Sequence, residues 1–566
     1  MKDTLQIIFG LFGGLAIFIY GMNMMSESLQ KAAGEKMKKV LALLTRNRLL
    51  GVLAGALTTA VLQSSSATTV MAIGFVSAGL MSLPQAISII FGANIGTTMT
   101  AQIIAFKISD YIYLFVFLGF IISFVVKSEK WKNIGQTIFA FGLLFLGIET
   151  MGSVMKPLAS SPIFLNMIEK VSDVPILGIC VGTLMTLVVQ SSSATIAVLQ
   201  NFAAQAGPDG MTSIMGLAGA IPILLGDNIG TTITALLASI GQSKDAKRTA
   251  AAHCIFNISG SLVFIWFVKP YAALIQQISP KGPEVEVISR QIANAHTGFN
   301  LCMTIVWTLL LGVMVKLVMK LIPSGKSKAL NPAESLYLDY NITNQPAAAL
   351  QLVAKEVLHC SKVVKEMIQN VGVAAKSEDK TVLTGVQEKA EIVSNLSEKI
   401  TDYLAELFSG GVLTEDQATQ TARIMYVLSD IERIAGLCKD IADSIMDKIN
   451  KKYAFTAEAM NELAQSLQVI EKMYSDTLQV MENGEQEKAE EILKQKEKVM
   501  ALDIDMRKAH MHRVATGKCS GNLTAPFSKI LLAIDRIGNT CVNITETISS
   551  QVNFHYFMIE EKEKQA

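Results

Sequence analysis

The chain has 566 residues, 49 of them basic and 48 acidic, with 51% hydrophobic and only 17% charged residues. That balance conceals a division: residues 1–330 hold 23 Lys and Arg against 13 Asp and Glu, whereas residues 331–566 hold 26 against 35. Long uncharged runs exclude a wholly soluble protein, because a bilayer span needs about 20 mostly apolar residues, and the lack of a basic patch with interleaved aromatics argues against nucleic-acid binding.

The first apolar run starts at Leu5 with only Lys2 and Asp3 near it, a poor signal peptide, and predicts an uncleaved helix over 4–28. No Asp, Glu, Lys or Arg occurs between Arg48 and Lys107. This run holds an apolar stretch at 49–83 and the start of another at 84–106, followed by a third at 111–126. A helix over 133–151 and an uncharged stretch over 174–208 come next, then helices near 211–240, 249–275 and 291–322. Pro323-Ser-Gly-Lys-Ser-Lys and Asn331-Pro332 read as a linker. The expected organisation is a membrane domain over 1–325, a linker over 326–340 and a charged helical domain over 341–560. In that last part apolar residues recur at helical spacing among Glu and Lys, as in Glu388–Ile400, which predicts a soluble bundle. Seven scattered cysteines without a Cys-x-x-Cys pair suggest neither a zinc cage nor a disulfide framework, and read as small buried hydrophobes.

Internal repetition is the strongest signal. Gln63-Ser-Ser-Ser-Ala-Thr68 recurs unchanged as Gln190-Ser-Ser-Ser-Ala-Thr195. Gly92-Ala-Asn-Ile-Gly-Thr-Thr-Met-Thr100 recurs as Gly226-Asp-Asn-Ile-Gly-Thr-Thr-Ile-Thr234. Upstream, Phe18-Ile-Tyr-Gly-Met matches Leu144-Phe-Leu-Gly-Ile weakly. The duplication defines repeat one at about 4–126 and repeat two at 133–322. Loops 31–48, 127–132 and 244–248 and the lysines after 315 carry the basic excess and should be cytoplasmic, while 156–173 and 279–290 are balanced and can lie outside. Traced under those constraints, each Gln-Ser-Ser-Ser motif sits at the tip of a re-entrant hairpin, the first entering from inside and the second from outside. That is an inverted repeat, the architecture of secondary transporters with a midplane site.

A turn inside the membrane frees backbone polar groups that only protein or a water-filled cavity can cover. Gln63, Ser64, Ser65, Ser66 and Thr68, with Gln190, Ser191, Ser192, Ser193 and Thr195, bring amides and hydroxyls to the same places. These offer donors to an oxyanion and oxygen ligands to a hard monovalent cation, and each restarting half-helix points its positive end at the site. The competing reading is that Ser and Ala merely permit close helix packing. The Gly-x-Asn-Ile-Gly-Thr-Thr segments add Asn94, Thr97 and Thr98, and Asn228, Thr231 and Thr232, and their glycines permit a break or a close approach. Asp227 is the one carboxylate within the repeated motifs; it either ligates a cation or lies at a helix end near water. Glu149 reads as a snorkelling acid, and His253 and His296 as packing histidines. No Lys or Arg lies in the motifs, so HPO₄²⁻ there would meet only neutral donors and helix dipoles. Co-binding of cations is the simplest remedy for such uncompensated charge.

These paired hairpins resemble the type II sodium/phosphate cotransporter family, including bacterial members with an appended PhoU-like domain. The resemblance covers essentially the whole chain. It implies an all-α polytopic membrane protein of the plasma (inner) membrane that takes up inorganic phosphate with Na⁺ as coupling ion, by alternating access and without an organic cofactor. It places phosphate and Na⁺ at Gln63–Ser66 and Gln190–Ser193, with Thr68, Thr69 and Thr195 close by, and with Asn94, Thr97, Thr98, Asn228, Thr231 and Thr232. Ala93 stands where the other copy has Asp227. The tail resembles a PhoU-like domain of two three-helix bundles, cytoplasmic by the loop charges, with signature helices at Asp430–Ala442 and Ala533–Thr545. Where that pattern often has a second acid, this chain has Gly436 and Asn539, so Glu432 and Asp535 are weak metal candidates. Two alternatives stand beside the symporter: a membrane-anchored phosphate sensor signalling through the tail, and a carrier for another oxyanion. An enzyme is not expected, because no nucleophile–base pair or phosphate-binding Gly-Lys loop is visible. Oligomeric state, a homodimer included, stays open.

Overall fold

The computed structural model describes residues 2–43, 47–78, 80–106, 108–159, 170, 173–207, 209–323, 334–343, 345–410, 413–483 and 486–551. Loops 31–48 and 156–173 lie partly outside the described residues. So does the linker, where 324–333, with Lys326, Lys328 and Asn331-Pro332, is not described. Regular structure among the described residues is helical, apart from one bridge between Ala206 and Ser213. The chain separates into two compact units, Met1–Ser327 and Lys328–Ala566.

The first unit begins with α1 (Lys2–Leu43) and a helix-turn-helix, α2 (Arg48–Leu62) and α3 (Ser65–Ser77). Next come α4 (Leu83–Ile104), α5 (Ile112–Val125) and α6 (Glu129–Ala159). A second helix-turn-helix follows, α7 (Pro175–Val189) and α8 (Ser192–Ala203), then α9 (Gly216–Gly230) and α10 (Thr232–Ala238). The unit ends with α11 (Lys244–Phe264), α12 (Val268–Ile278), α13 (Glu284–Leu309) and α14 (Leu311–Leu321). Side-chain caps start several of them: Asn47 accepts from the Leu50 N–H at 2.8 Å, and Ser243 from the Ala246 N–H at 3.2 Å.

Among the described residues five helical stretches are long and apolar enough to cross a bilayer, and the pair α13–α14 is a sixth if counted as one span. That pair corrects the expected single helix over 291–322: the chain bends by 81° between α13 and α14. The helix expected at 111–126 is α5, whose 14 residues reach only about 21 Å at 1.5 Å each. The arms α2 and α7 have 15 residues each, about 22 Å, short of a hydrocarbon core of about 30 Å.

Glycines set how the arms pack. A methyl group on Gly55 would run into the Ile89 carbonyl, and one on Gly92 into the Val52 carbonyl, so α2 and α4 touch backbone to backbone. The second half repeats this with Gly182 against the Ile223 carbonyl and Gly226 against the Ile179 carbonyl. These glycines therefore serve close approach. In the first half α4 runs on unbroken through Gly92 and Gly96; in the second the helix is interrupted at Thr231.

The second unit holds α15 (Pro346–Ser377), α16 (Lys380–Ser409), α17 (Glu415–Asn450), α18 (Ala457–Asn483), α19 (Gln486–Ala515) and α20 (Thr524–Gln551). Helices α15–α17 form one three-helix bundle and α18–α20 another, joined through α15 with α18 and α17 with α20. The repeat is visible in the core: Ile431, Ile434, Cys438, Ile441 and Ile445 of α17 lie in one cluster with Ile534, Ile537, Cys541, Ile544 and Ile548 of α20. Burial pushes the Cys360 and Cys541 thiols up to about 12, as expected of cysteines that fill a core, whereas Cys180 and Cys302 of the first unit are exposed, against that expectation. The fully buried Glu356 closes the entry to this unit. One of its oxygens accepts from the Leu336 and Tyr337 N–H groups at 2.9 and 2.7 Å, and the other faces His359 Nδ1 at 2.9 Å.

Candidate functional site

The two Gln-Ser-Ser-Ser turns are built alike. Gln63 ends α2 in the left-handed region (φ 51°, ψ 24°) and Gln190 ends α7 in the same way (φ 57°, ψ 22°). Ser64 and Ser191 then return to extended backbone and cap the next helices, accepting from the N–H groups of Ala67 at 3.1 Å and Ala194 at 3.3 Å. The chain thus reverses in two residues. The N–H groups of Ser65 and Ser66, and of Ser192 and Ser193, open α3 and α8 without intrahelical partners. The hydroxyls of Ser65, Ser192 and Ser193 make no hydrogen bond among the described residues, so each turn presents donors next to a positive helix end.

Below each tip a threonine pair ties the two arms. Thr59 and Thr68 hydroxyls are 2.8 Å apart, and Thr186 and Thr195 are 3.0 Å apart. Thr59 and Thr186 were not among the expected site residues. Their signal is a four-residue rhythm along both first arms, Gly51, Gly55, Thr59, Gln63 and Gly178, Gly182, Thr186, Gln190, which lines one helix face. Thr69 is buried and its hydroxyl has no partner; Ile196 takes its place in the second half.

Asp227 lies fully buried, away from water. Its Oδ1 accepts from Thr186 Oγ1 at 2.6 Å, and its Oδ2 has no partner. Ala93 leaves nothing comparable beside Thr59. The neighbouring threonines turn their protons inward: Thr97 donates to the Ala93 carbonyl and Thr231 to the Asp227 carbonyl, both at 3.0 Å. Thr98 and Thr232 donate to Ile95 and Ile229 at 2.7 Å. With their protons spent on the backbone, these hydroxyls offer only lone pairs, the property a cation uses. The serines at the tips keep theirs for an anion.

A third duplication appears in α11 and α13. Ala252-His253-Cys-Ile-Phe-Asn257 and Ala295-His296-Thr-Gly-Phe-Asn300 share the pattern Ala-His-x-x-Phe-Asn, followed four residues on by Ser261 and Thr304. Asn257 Nδ2 is 3.5 Å from Asn94 Oδ1, and Asn300 Nδ2 is 3.5 Å from Asn228 Oδ1. Ser261 donates to the Leu225 carbonyl at 3.2 Å and Thr304 to the Phe91 carbonyl at 3.1 Å. Each of these helices therefore grips both halves. His296 does more than pack, since its Nε2 stands 3.3 Å from Asn228 Oδ1. His253 is equally buried.

A cleft of about 350 Å³ opens beside α8, lined by Glu149, Ser153, Gln200, Asn201, Gln205 and Ser289 among others. Glu149 is exposed there, as a snorkelling acid would be. Near it Arg290 reaches Gln102 Oε1 at 2.6 Å and lies 4.6 Å over the Phe106 ring. In the tail, Glu432 accepts from Ser394 at 2.9 Å and Ser397 at 2.8 Å, while Asp535 pairs with Lys496 and accepts from Asn539 at 3.1 Å. The two weak metal candidates are thus engaged by hydroxyls, an ammonium and an amide. Among the described residues no group of three metal-ligating side chains assembles.

The model of the Na+/Pi-cotransporter family matches the chain twice, over residues 17–153 and 154–279, and the PhoU domain model matches it twice, over 357–445 and 463–548. The uncharacterized protein YqeW of Bacillus subtilis is 31% identical over 310 residues, which span 55% of this chain and 96% of that protein. YjbB of Salmonella typhimurium, named for inorganic phosphate export, is 23% identical over 506 residues, 89% of this chain and 90% of that protein. Human sodium-dependent phosphate transport protein 2B is 32% identical over 147 residues, 24% of this chain and 19% of that protein. No solved structure matches the chain.

Proposed function

The chain belongs to the Na+/Pi-cotransporter family, and from that premise we propose that it is a sodium-coupled inorganic phosphate symporter working by alternating access, with both ions held between the Gln-Ser-Ser-Ser turns. The observation that carries the reading is the division of labour between two neighbouring sets of groups. Helix N-termini at Ser65, Ser66, Ser192 and Ser193, with the unbonded hydroxyls of Ser65, Ser192 and Ser193, suit a phosphate oxyanion. The unpartnered Oδ2 of Asp227 and the outward lone pairs of Thr97, Thr98, Thr231 and Thr232 suit Na⁺. No basic side chain stands in these motifs, so an anion there depends on a co-bound cation, and that dependence is coupling.

In this reading the protein lies in a bacterial inner membrane, and the basic excess of loops 31–48, 127–132 and 244–248 supports a cytoplasmic tail with the cleft near Glu149 and Ser289 on the outer side. Direction follows from gradients. The same cycle carries phosphate inward with an inward Na⁺ gradient and outward when the phosphate gradient dominates, so export by YjbB and sodium-dependent transport by the human protein are compatible uses of one machine. The test is uptake of labelled phosphate into proteoliposomes with an inward Na⁺ gradient. Equal uptake with K⁺ or choline in place of Na⁺, at fixed pH, overturns the coupling.

A further inference from the structure

Contacts in the membrane unit fall into two classes. Several occur in both halves: Thr59–Thr68 with Thr186–Thr195, Asn94–Asn257 with Asn228–Asn300, and the Phe91 carbonyl bond with the Leu225 carbonyl bond. Others do not: the Thr186–Asp227 bond and the His296–Asn228 contact have no counterpart in the first half among the described residues, and at the turns themselves one pair of identical threonines differs. Thr100 and Thr234 occupy the same last position of the two Gly-x-Asn segments. Thr100 donates to Gln63 Oε1 at 2.9 Å, within its own half. Thr234 Oγ1 instead stands 3.1 Å from Ser66 Oγ, in the other half. Both threonines therefore hold the first turn, and neither holds the second. Exposure agrees: Gln63 is 8% exposed, while Gln190 is exposed, with its amide donating only to the Leu187 carbonyl at 2.9 Å.

A contact that differs between two equivalent halves can be exchanged without net loss, because the exchanged arrangement has the same bonds with the halves swapped. Contacts present in both halves have no such alternative. We propose that Thr100 and Thr234 are positioning residues that exchange turns during the transport cycle: in the opposite state Thr234 donates to Gln190, Thr100 reaches Ser193, and the first turn is released. The inference rests on the transport reading above and names the bonds that change. The glycine contacts of α2 with α4 and α7 with α9, and the grip of α11 and α13, form the frame that stays. The latched turn keeps Gln63 and Ser65 from water, whereas Gln190 is exposed and Ser192 half-buried in the other; a released turn admits phosphate. The two states differ by little free energy, as a cycle that must visit both requires.

The test uses the full chain in liposomes, with Cys180, Cys254 and Cys302 replaced by Ala. Two double variants, Ser66→Cys with Thr234→Cys and Ser193→Cys with Thr100→Cys, are exposed to an oxidant. Both pairs should form disulfides, each in its own state, and each cross-linked form should lose phosphate exchange at least about tenfold and regain it on reduction. Failure of the Ser193–Thr100 pair to cross-link while the Ser66–Thr234 pair does, or full exchange by either cross-linked form, overturns the proposal.

A second measurement covers variants that fail to fold. Labelling of Ser65→Cys and Ser192→Cys by a hydrophilic maleimide should shift in opposite directions when Gln63→Leu is added, the first rising and the second falling, by about fivefold for one hydrogen bond. Gln190→Leu should do the reverse. Shifts in the same direction, or none, also overturn it. A parent protein that carries no phosphate, yet shows both cross-links and opposite labelling shifts, would refute the symporter and leave the exchange standing.

Discussion

The two units solve the same problem, packing long helices, with opposite means. In the membrane unit the arms of each hairpin meet their partners through glycine, backbone against backbone, at Gly55, Gly92, Gly182 and Gly226. In the tail, α17 meets α20 through Ile431, Ile434, Ile441, Ile534, Ile537 and Ile544. Of the tail's helical glycines, those at 372, 385 and 436 face open space, and Gly538 meets only the side chains of Lys496 and Ile470. The difference follows from the solvent. In water, burying large aliphatic chains drives association, whereas lipid tails are as apolar as leucine, and association there relies on close contact and polar bonds. The second strategy also leaves room at the interface for Thr59, Thr186 and Asp227, which a leucine-packed interface would exclude.

The largest test of this contrast is Gly92→Ala or Gly226→Ala. Each should cost about 3 kcal/mol or more, because the added methyl meets a carbonyl that cannot turn aside. Loss of the folded protein in detergent, read by size-exclusion chromatography, is the expected result, and wild-type behaviour would show that the helices can separate. Next comes Asp227→Asn, which keeps shape and the bond from Thr186 while removing charge. It should raise the Na⁺ concentration for half-maximal uptake about tenfold, the worth of a lost charged interaction of about 1.4 kcal/mol. Ser65→Ala and Ser192→Ala should weaken phosphate binding instead. An unchanged Na⁺ dependence in Asp227→Asn would remove the carboxylate from the cation site.

In the tail, Glu356→Gln should destabilise that unit by about 1–2 kcal/mol, because an amide nitrogen replaces one acceptor facing either the 336–337 N–H groups or His359. Thermal unfolding of the tail and hydrogen exchange at 336 and 337 report it, and unchanged protection there would mean the entry segment is held by other contacts. Gly436→Ala should go the other way, stabilising by up to about 1 kcal/mol through helix propensity alone. Last, a protein ending near residue 327 should still take up phosphate, since the tail forms a compact unit of its own. An inserted but inactive truncation would make the tail part of the transport machinery.

Much of this was legible in the sequence. The duplicated motifs marked both turns and both Gly-x-Asn segments, because each carries polar residues that lipid makes conspicuous. Thr59 and Thr186 were hidden by their apolar surroundings, although their four-residue rhythm with glycine is plain once the helices are known. The Ala-His-x-x-Phe-Asn pair escaped for a different reason. Its two copies lie 43 residues apart, while the other motifs recur after 127 and 134, so no single repeat length reveals it. The bend of 81° between α13 and α14 has no proline to announce it. Buriedness was beyond reach too. Asp227 could have faced water, and only the contact of α7 with α9 shows that it does not.

That uneven spacing has a consequence in time. Asn94 finds Asn257 across 163 residues of chain, and Asn228 finds Asn300 across 72. At a synthesis rate of about 5–20 residues per second, Asn94 waits roughly 10–30 s for its partner, and Asn228 roughly 4–14 s. During that interval the first half sits at the membrane with an amide, two threonines and a polar turn still lacking α11. The first half to be made is therefore the one that waits longer, and its early shelter must come from the insertion machinery or from its own glycine-packed neighbours.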